Sequence, residues 1–194
     1  MIVLASQSAS RRAMLEAAGV EVTAVPAHLD ERAVEAGLGQ AGPDEIVLAL
    51  AQAKALAVAG SRPGALVLGS DSLVMAHGRR FDKPGSRAEA VEHLRFFSGR
   101  TMRLHSAAAL ARDGAVLWRN AAVAALQVIE MSDSFIQTYL EGEWPAVSGC
   151  VGVVRIEGRG VQLFEAIEGD YFTVLGMPLL KVLGALRDLG ELPR

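Results

Sequence analysis

The chain has little cysteine: Cys150 is the single one among 194 residues. A lone thiol forms no internal disulfide, no zinc framework and no redox pair, so disulfide-stapled and zinc-ribbon folds are excluded and a reducing compartment fits best. Positive charge is also short. Nineteen Lys and Arg against 22 Asp and Glu leave a net charge of -3, which supplies no field to displace counterions from a polyanion and argues against a nucleic-acid polymer as partner. No run approaches the ~18 apolar residues of a membrane span, and no basic segment leads into an apolar signal region, so a cytoplasmic protein with no membrane partner is expected. Neither a Walker-type glycine loop nor GxGxxG occurs. The four histidines, His28, His77, His93 and His105, lack metal-ligand spacing and any Ser/His/Asp context, and none is given a catalytic role.

What is present is a folded composition, 51% hydrophobic and 21% charged, at a length that buries a substantial core as one domain over residues 1–194. Ile2 to Ala5 reads as a buried strand. Ser10 to Ala18 reads as a helix with Met14 and Leu15 inward and Gly19 as its stop, and Val20 to Val25 as a second strand. The polar stretch Pro26 to Pro43 precedes an alanine-rich helix, Asp44 to Ala59, ended by Gly60. Ala65 to Leu68 reads as a short buried strand that delivers Gly69-Ser70-Asp71 to its C-terminal end, where open α/β sheets keep their ligands. A hairpin at His77-Gly78 follows, then a helix from Arg87 to Phe97 announced by Ser86 and Glu89 at capping-box spacing. Asp113-Gly114 joins two strands, Thr101 to Ala111 and Val116 to Ile129, the second split or bulged. Ser132 to Glu141 reads as a helix, Val151 to Ile156 and Gln162 to Ile167 as strands, and the last helix follows Pro178. The mixture has no strict βαβ repeat, which predicts an α/β fold: a single domain with an elongated mixed β-sheet flanked by helices.

The chemistry concentrates in a few places. In MIVLASQSASRR a strand runs into small hydroxyl residues and a helix start, whose unpaired N–H groups attract an anion. Ser6 and Ser8 offer hydroxyls, and Arg11 and Arg12 offer forked donors to phosphate oxygens, although serine here also serves as an ordinary N-cap. Asp71 is the best acid/base candidate, a carboxylate held on rigid strand backbone. Lys83 stands where it meets a phosphate or solvent. Lys54 interrupts an apolar helix, and its long stem either carries the ammonium into a pocket or snorkels out. Asp30 and Glu31 offer hard oxygen ligands of the kind magnesium prefers. Trp118 and Trp144 read as packing residues.

LASQSASRR at residues 4–12, AQAKA at 51–55, GSDS at 69–72, DKPGSRAEAVEHLRFFSGR at 82–100 and GDYFTVLGMPL at 169–179 together resemble the Maf family. The resemblance spans nearly the whole chain and keeps the order of the motifs. It implies a Maf/ITPase-like fold with a central cleft and a cytoplasmic nucleoside triphosphate pyrophosphatase, dependent on a divalent metal (Mg or Mn), that releases a nucleoside monophosphate and pyrophosphate. House-cleaning of the nucleotide pool and an association with cell-division arrest come with it, as does a second reading: a nucleotide-binding regulator of division with little hydrolysis. By resemblance Asp71 is the proton acceptor, and Ser8, Arg11 and Arg12 belong to the phosphate-binding turn. Lys54, Lys83 and Glu31 are polar cleft positions, Glu31 sharing metal binding with Asp71. Arg12, Ser72 and Glu157 fall where members differ by the base accepted, and Glu157 within RIEG resembles the 7-methyl-GTP branch. The chain departs from the family pattern at Ala9 for a usual proline, at Met102 for a common histidine, and in a lengthened WPAVSGCVG. A homodimer is compatible with its apolar helices.

Overall fold

The computed structural model describes residues 1–194. Seven strands, β1 (Ile2–Leu4), β2 (Val22–Ala24), β3 (Val67–Ala76), β4 (Arg79–Phe81), β5 (Thr101–Arg112), β6 (Ala115–Val128) and β7 (Phe164–Glu168), form one mixed sheet. Its order is β2-β1-β3-β5-β6-β7, with β4 paired to β3. The helices are α1 (Ala9–Ala17), α2 (Glu31–Ala36), α3 (Pro43–Ala59), α4 (Arg87–Phe97), α5 (Asp133–Glu143), α6 (Tyr171–Val174) and α7 (Leu179–Asp188). The chain divides into two compact units. The first comprises Met1–Ser72, His105–Ala122 and Tyr171–Arg194; the second comprises Leu73–Leu104 and Val123–Asp170.

In the first unit β1 runs parallel to both β2 and β3, an arrangement that requires crossover connections such as α1. The apolar pattern of α1 buries Met14 and Leu15. They pack with Leu179, Val182 and Leu186 of α7 against Ile2, Leu4, Leu68, Ala108 and Leu110 of the sheet, with Trp118 partly buried at the edge. Each such Leu, Ile, Val or Met side chain contributes about 1.5–3 kcal/mol when fully buried. In the second unit Ala90, Val91 and Leu94 of α4 meet Ile136, Tyr139 and Leu140 of α5, and Trp144 packs against this cluster. Phe81 of β4 is buried among His93, Phe96 and Phe97, with ring centroids 4.6–5.0 Å away.

The turns follow their chemistry. His77-Gly78 and Asp113-Gly114 both take positive φ, 48 and 76°, then 49 and 79°, the backbone that suits tight hairpins between twisted strands. Ser86 caps α4 by accepting the Glu89 N–H at 3.1 Å, while the Glu89 carboxylate reaches back to the Gly85 N–H at 2.8 Å, one residue earlier than in the usual box.

Four stretches depart from expectation. The strand expected to end at Leu68 continues to Ala76. Val67 and Leu68 pair with β1, whereas Val74 to Ala76 pair with β4 in the opposite sense, so Asp71 lies within a strand, between two pairings, and not at a strand end. Pro26 to Pro43 contains α2, started by the Asp30 carboxylate accepting the Ala33 N–H at 3.0 Å. Val151 to Ile156 is not a strand: Gly152 and Val153 take φ of 77 and 59°, and the segment winds through 3₁₀ turns. Residues 159–163 are likewise 3₁₀, which delays β7 to Phe164. In β6 the register against β7 shifts at Gln127/Val128.

One contact in the first unit sets the site. The backbone of β3 at Gly69 lies directly on α3, and a Cβ there would overlap the Ala51 carbonyl and stand 2.6 Å from the Ala55 nitrogen. Ala51 and Ala55 are themselves fully buried, so helix and strand meet through the smallest residues available. Gly69→Ala is therefore expected to destabilise the protein by about 1–3 kcal/mol through overpacking, read as a lowered Tm. Gly184→Ala on α7, where a Cβ meets nothing within 4 Å, is expected to be neutral or stabilising by up to ~1 kcal/mol.

Candidate active site

The closeness of α3 to β3 brings Lys54, three residues after Ala51, onto Asp71, two residues after Gly69. Lys54 Nζ lies 2.6 Å from Asp71 Oδ1 and 2.8 Å from Glu31 Oε1. Lys54 and Asp71 side chains are each only 12% exposed, Glu31 is half-exposed, and so the lysine reaches inward and does not snorkel. Removing one partner of such a buried pair leaves an uncompensated charge, at a cost of about 3–5 kcal/mol. Asp71 Oδ2 takes no hydrogen bond from the protein. Burial raises the Asp71 pKa above the ordinary aspartate value, against the opposing pull of Lys54 and Arg11.

Arg11, on the first turn of α1, is half-buried and almost fully engaged. Its Nε donates to the Gly176 carbonyl at 3.0 Å, Nη1 to the Ser70 carbonyl at 3.0 Å and to Ser6 Oγ at 3.4 Å, and Nη2 to Ser72 Oγ at 3.0 Å. A guanidinium has about five N–H bonds to give, so roughly one remains for a ligand. Burial lowers its pKa, while Asp71 and Glu31 oppose that shift; arginine nonetheless stays charged. The Gly176 carbonyl is a hub, also accepting from Ser70 Oγ at 3.2 Å and Ser72 Oγ at 2.9 Å. Gly176 takes φ of 102°, and a Cβ there would sit 3.3 Å from Ser72 Oγ. Ser72 Oγ also lies 2.9 Å from Ser106 Oγ, and Ser106 donates to the Thr173 carbonyl at 3.0 Å.

The structure thus brings Arg11, Lys54, Asp71, Ser72 and Glu31 together. Ser8 stands at the start of the same helix as its N-cap, its Oγ accepting the Arg11 N–H at 3.3 Å. Arg12 turns the other way: more than half exposed, it pairs with Glu16 one helical turn on at 2.6 Å. Lys83 and Glu157 belong to the second unit. Lys83 is exposed with no carboxylate partner. Glu157 lies 3.7 Å from Arg155 Nε, and Arg155 Nη1 is 3.5 Å from buried Glu143, which also accepts the Arg159 N–H at 3.2 Å. Lys83, Arg155 and Glu157 all act electrostatically on Cys150, whose thiol pKa is raised mainly by burial and next by Glu157.

Sequence reasoning passed over Ser106 and the Gly176 carbonyl. The latter's signal is the glycine of GMPL, whose positive φ only glycine adopts freely. No group of three or more His, Cys, Asp or Glu side chains gathers as a ready metal cage. Glu31 and Asp71 nevertheless hold one cation, the Lys54 ammonium, between two hard carboxylate oxygens. These are the hard oxygen donors that would hold a divalent ion such as magnesium.

A family model described as Maf-like protein matches residues 1–189. The 7-methyl-GTP pyrophosphatase of Mesorhizobium japonicum is 48% identical over 193 residues, 98% of this chain and 97% of that one. The nucleoside triphosphate pyrophosphatase of Sphingopyxis alaskensis is 45% identical over 196 residues, 100% and 99%. Among solved structures, a HAM1 protein from Coxiella burnetii aligns over 66% of this chain and 72% of that chain, at TM-score 0.43 and 21% identity.

The folded-state pKa of Asp71 lies above its unfolded value, so its ionisation lowers stability as pH rises through the interval from the ordinary aspartate value to the raised one. Lys54→Met removes the largest opposing charge, and the Asp71 titration followed by carboxyl ¹³C NMR is expected to move to still higher pH. A downward or absent movement would contradict the pairing.

Proposed function

Because the chain belongs to the Maf family, we propose that it hydrolyses nucleoside triphosphates between the α- and β-phosphates, releasing a nucleoside monophosphate and pyrophosphate, and that modified purine nucleotides such as 7-methyl-GTP are its substrates. The observation that carries this reading is Asp71: a buried carboxylate of raised pKa, with Oδ1 held by Lys54 and Oδ2 unclaimed. Such a group is suited to take a proton at the pH where it is needed.

Asp71 Oδ2 accepts a proton from water as the water oxygen forms its bond to the α-phosphorus. The bond from that phosphorus to the α,β-bridging oxygen breaks, and pyrophosphate leaves with the electron pair. Lys54 holds the carboxylate in place, while the charge of Arg11 and the remaining N–H of its guanidinium face the growing negative charge. Arg11 does most of its work by fixing Ser70, Ser72 and Gly176 around the reacting centre, a role different from the free phosphate fork that residue type alone implies. Glu31 and Asp71 would hold a divalent ion, Mg or Mn, which when bound neutralises phosphate charge. Ser8 and Lys83 are assigned to phosphate binding, and Arg12 to phosphate or base selection by a change of partner from Glu16.

Base choice is assigned to Glu157, with Ser72 contributing through the frame it completes. A carboxylate accepts hydrogen bonds from the donor edge of guanine and is attracted to a methylated, cationic ring, neither of which a pyrimidine offers. The Glu143–Arg155–Glu157 series supports this by restraining the carboxylate. On this reading the enzyme removes unwanted nucleotides from the cytoplasmic pool and the whole chain acts as one functional domain.

Asp71→Asn is expected to lower kcat about 10²–10⁴-fold with far-UV circular dichroism unchanged. With 7-methyl-GTP, GTP, dTTP and UTP assayed side by side in Mg or Mn, Glu157→Gln is expected to shift the 7-methyl-GTP to UTP ratio of kcat/KM toward UTP. An unchanged ratio removes Glu157 from base selection.

A further inference from the structure

The second unit holds a recess that shares no residue with the Lys54–Asp71 site. It is a groove of about 400 Å³ lined by Met75, His77, Gly78, Arg100, Thr101 and Arg103. Met102 and Leu104 of β5 are buried, so strand alternation turns Thr101 and Arg103 to the opposite face. The His77-Gly78 turn supplies one wall. Three lining residues are basic and none is acidic.

The arginines are unusually free of counter-charge. Arg103 makes no ion pair or hydrogen bond through its side chain, and Arg100 bonds only the carbonyls of Phe96 and Ser98. Glu130 packs over Gly99 but pairs with neither. The guanidinium of Arg100 lies 4.9 Å from the centre of the Phe96 ring, and that of Arg79, also without a carboxylate, lies 5.5 Å from the same ring and 4.8 Å from Phe81. An aromatic face attracts each cation and fixes its position, yet two guanidinium groups on one ring repel each other, and neither is paired with a carboxylate. This concentration of uncompensated positive charge occurs in a chain whose net charge is -3.

We propose that the groove is a second anion site, for a small molecule carrying a diphosphate or triphosphate group. Guanidinium forks match phosphate oxygens in shape and charge, and the volume is of the order of small-ligand sites, roughly 300–1,000 Å³. Met75 and Thr101 also line the groove, the Thr101 hydroxyl donating to Gln127 Oε1 at 2.7 Å. A nucleic-acid strand is disfavoured, because charges confined to one recess offer no continuous track for successive phosphates.

The test is a titration of the full-length wild-type protein followed by the arginine Nε–Hε signals in NMR, so that no variant need fold for the site to be read. The probes are inorganic pyrophosphate, ATP, sodium chloride at matched ionic strength and a single-stranded 12-mer oligonucleotide. Saturable shifts of Arg100 and Arg103 with pyrophosphate or ATP are expected, ATP binding more tightly if the anion is nucleotide-borne and pyrophosphate if it is free. Arg103→Ala is expected to weaken this response about tenfold or more, corresponding to ~1.4 kcal/mol, without altering the response of Arg11. Arg100 and Arg103 signals that stay still at millimolar pyrophosphate and ATP, or move equally with chloride, would overturn the proposal. A stronger response to the oligonucleotide would replace it with a nucleic-acid surface.

Discussion

The close contact of α3 with β3 at Gly69 is the constraint on which the rest of the site depends. Helix and strand approach until no Cβ fits between them. Only at that separation does the stem of Lys54 deliver its ammonium to Asp71 within 2.6 Å, while both remain largely out of water. An aspartate on a strand farther from the helix would be solvated and would titrate like any surface carboxylate. Backbone geometry at a glycine is thereby converted into a perturbed pKa two residues later.

Around that pair the protein places a second, half-buried charge, Arg11, and satisfies it almost entirely with its own carbonyls and hydroxyls. Bonds from Arg11 reach the strand at Ser70 and Ser72 and the segment before α7 at Gly176. Three sequence segments separated by about sixty and about a hundred residues are fixed to one another by a group that burial alone would make costly. Low dielectric strengthens each of these bonds and also penalises any that is lost. The same frame flanks Asp71 on its strand and sets positive charge beside it, the arrangement on which the proposed stabilisation of a phosphoryl transition state rests.

Much of this was legible in the residues themselves. Helix α3, the hairpins at His77-Gly78 and Asp113-Gly114 and the Ser86 cap follow from periodicity and turn chemistry, and Lys54 stood out because nothing else polar shares its face of the helix. The 3₁₀ path through Val151–Val153 was not legible, because an apolar, valine-rich run reads as a strand unless the left-handed backbone of Gly152 and Val153 is known. The extension of β3 was hidden for a related reason: Gly69-Ser70-Asp71 has the composition of a turn, and its extended conformation is imposed by pairing on either side. Arg11 shows the limit on the side of chemistry. A sequence indicates that a guanidinium is present but not how many of its donors the fold has already taken. Arg12, next to it in sequence and alike in type, faces Glu16 and solvent because a helix turns adjacent residues about 100° apart.

The most direct measurement of the central claim is hydrolysis of 7-methyl-GTP in ¹⁸O-labelled water, with the isotope located in the products by ³¹P NMR or mass spectrometry. Attack by an Asp71-activated water at the α-phosphorus predicts one ¹⁸O in the nucleoside monophosphate and none in pyrophosphate. Label in pyrophosphate, or release of labelled orthophosphate, would contradict the account by placing the attack at another phosphorus.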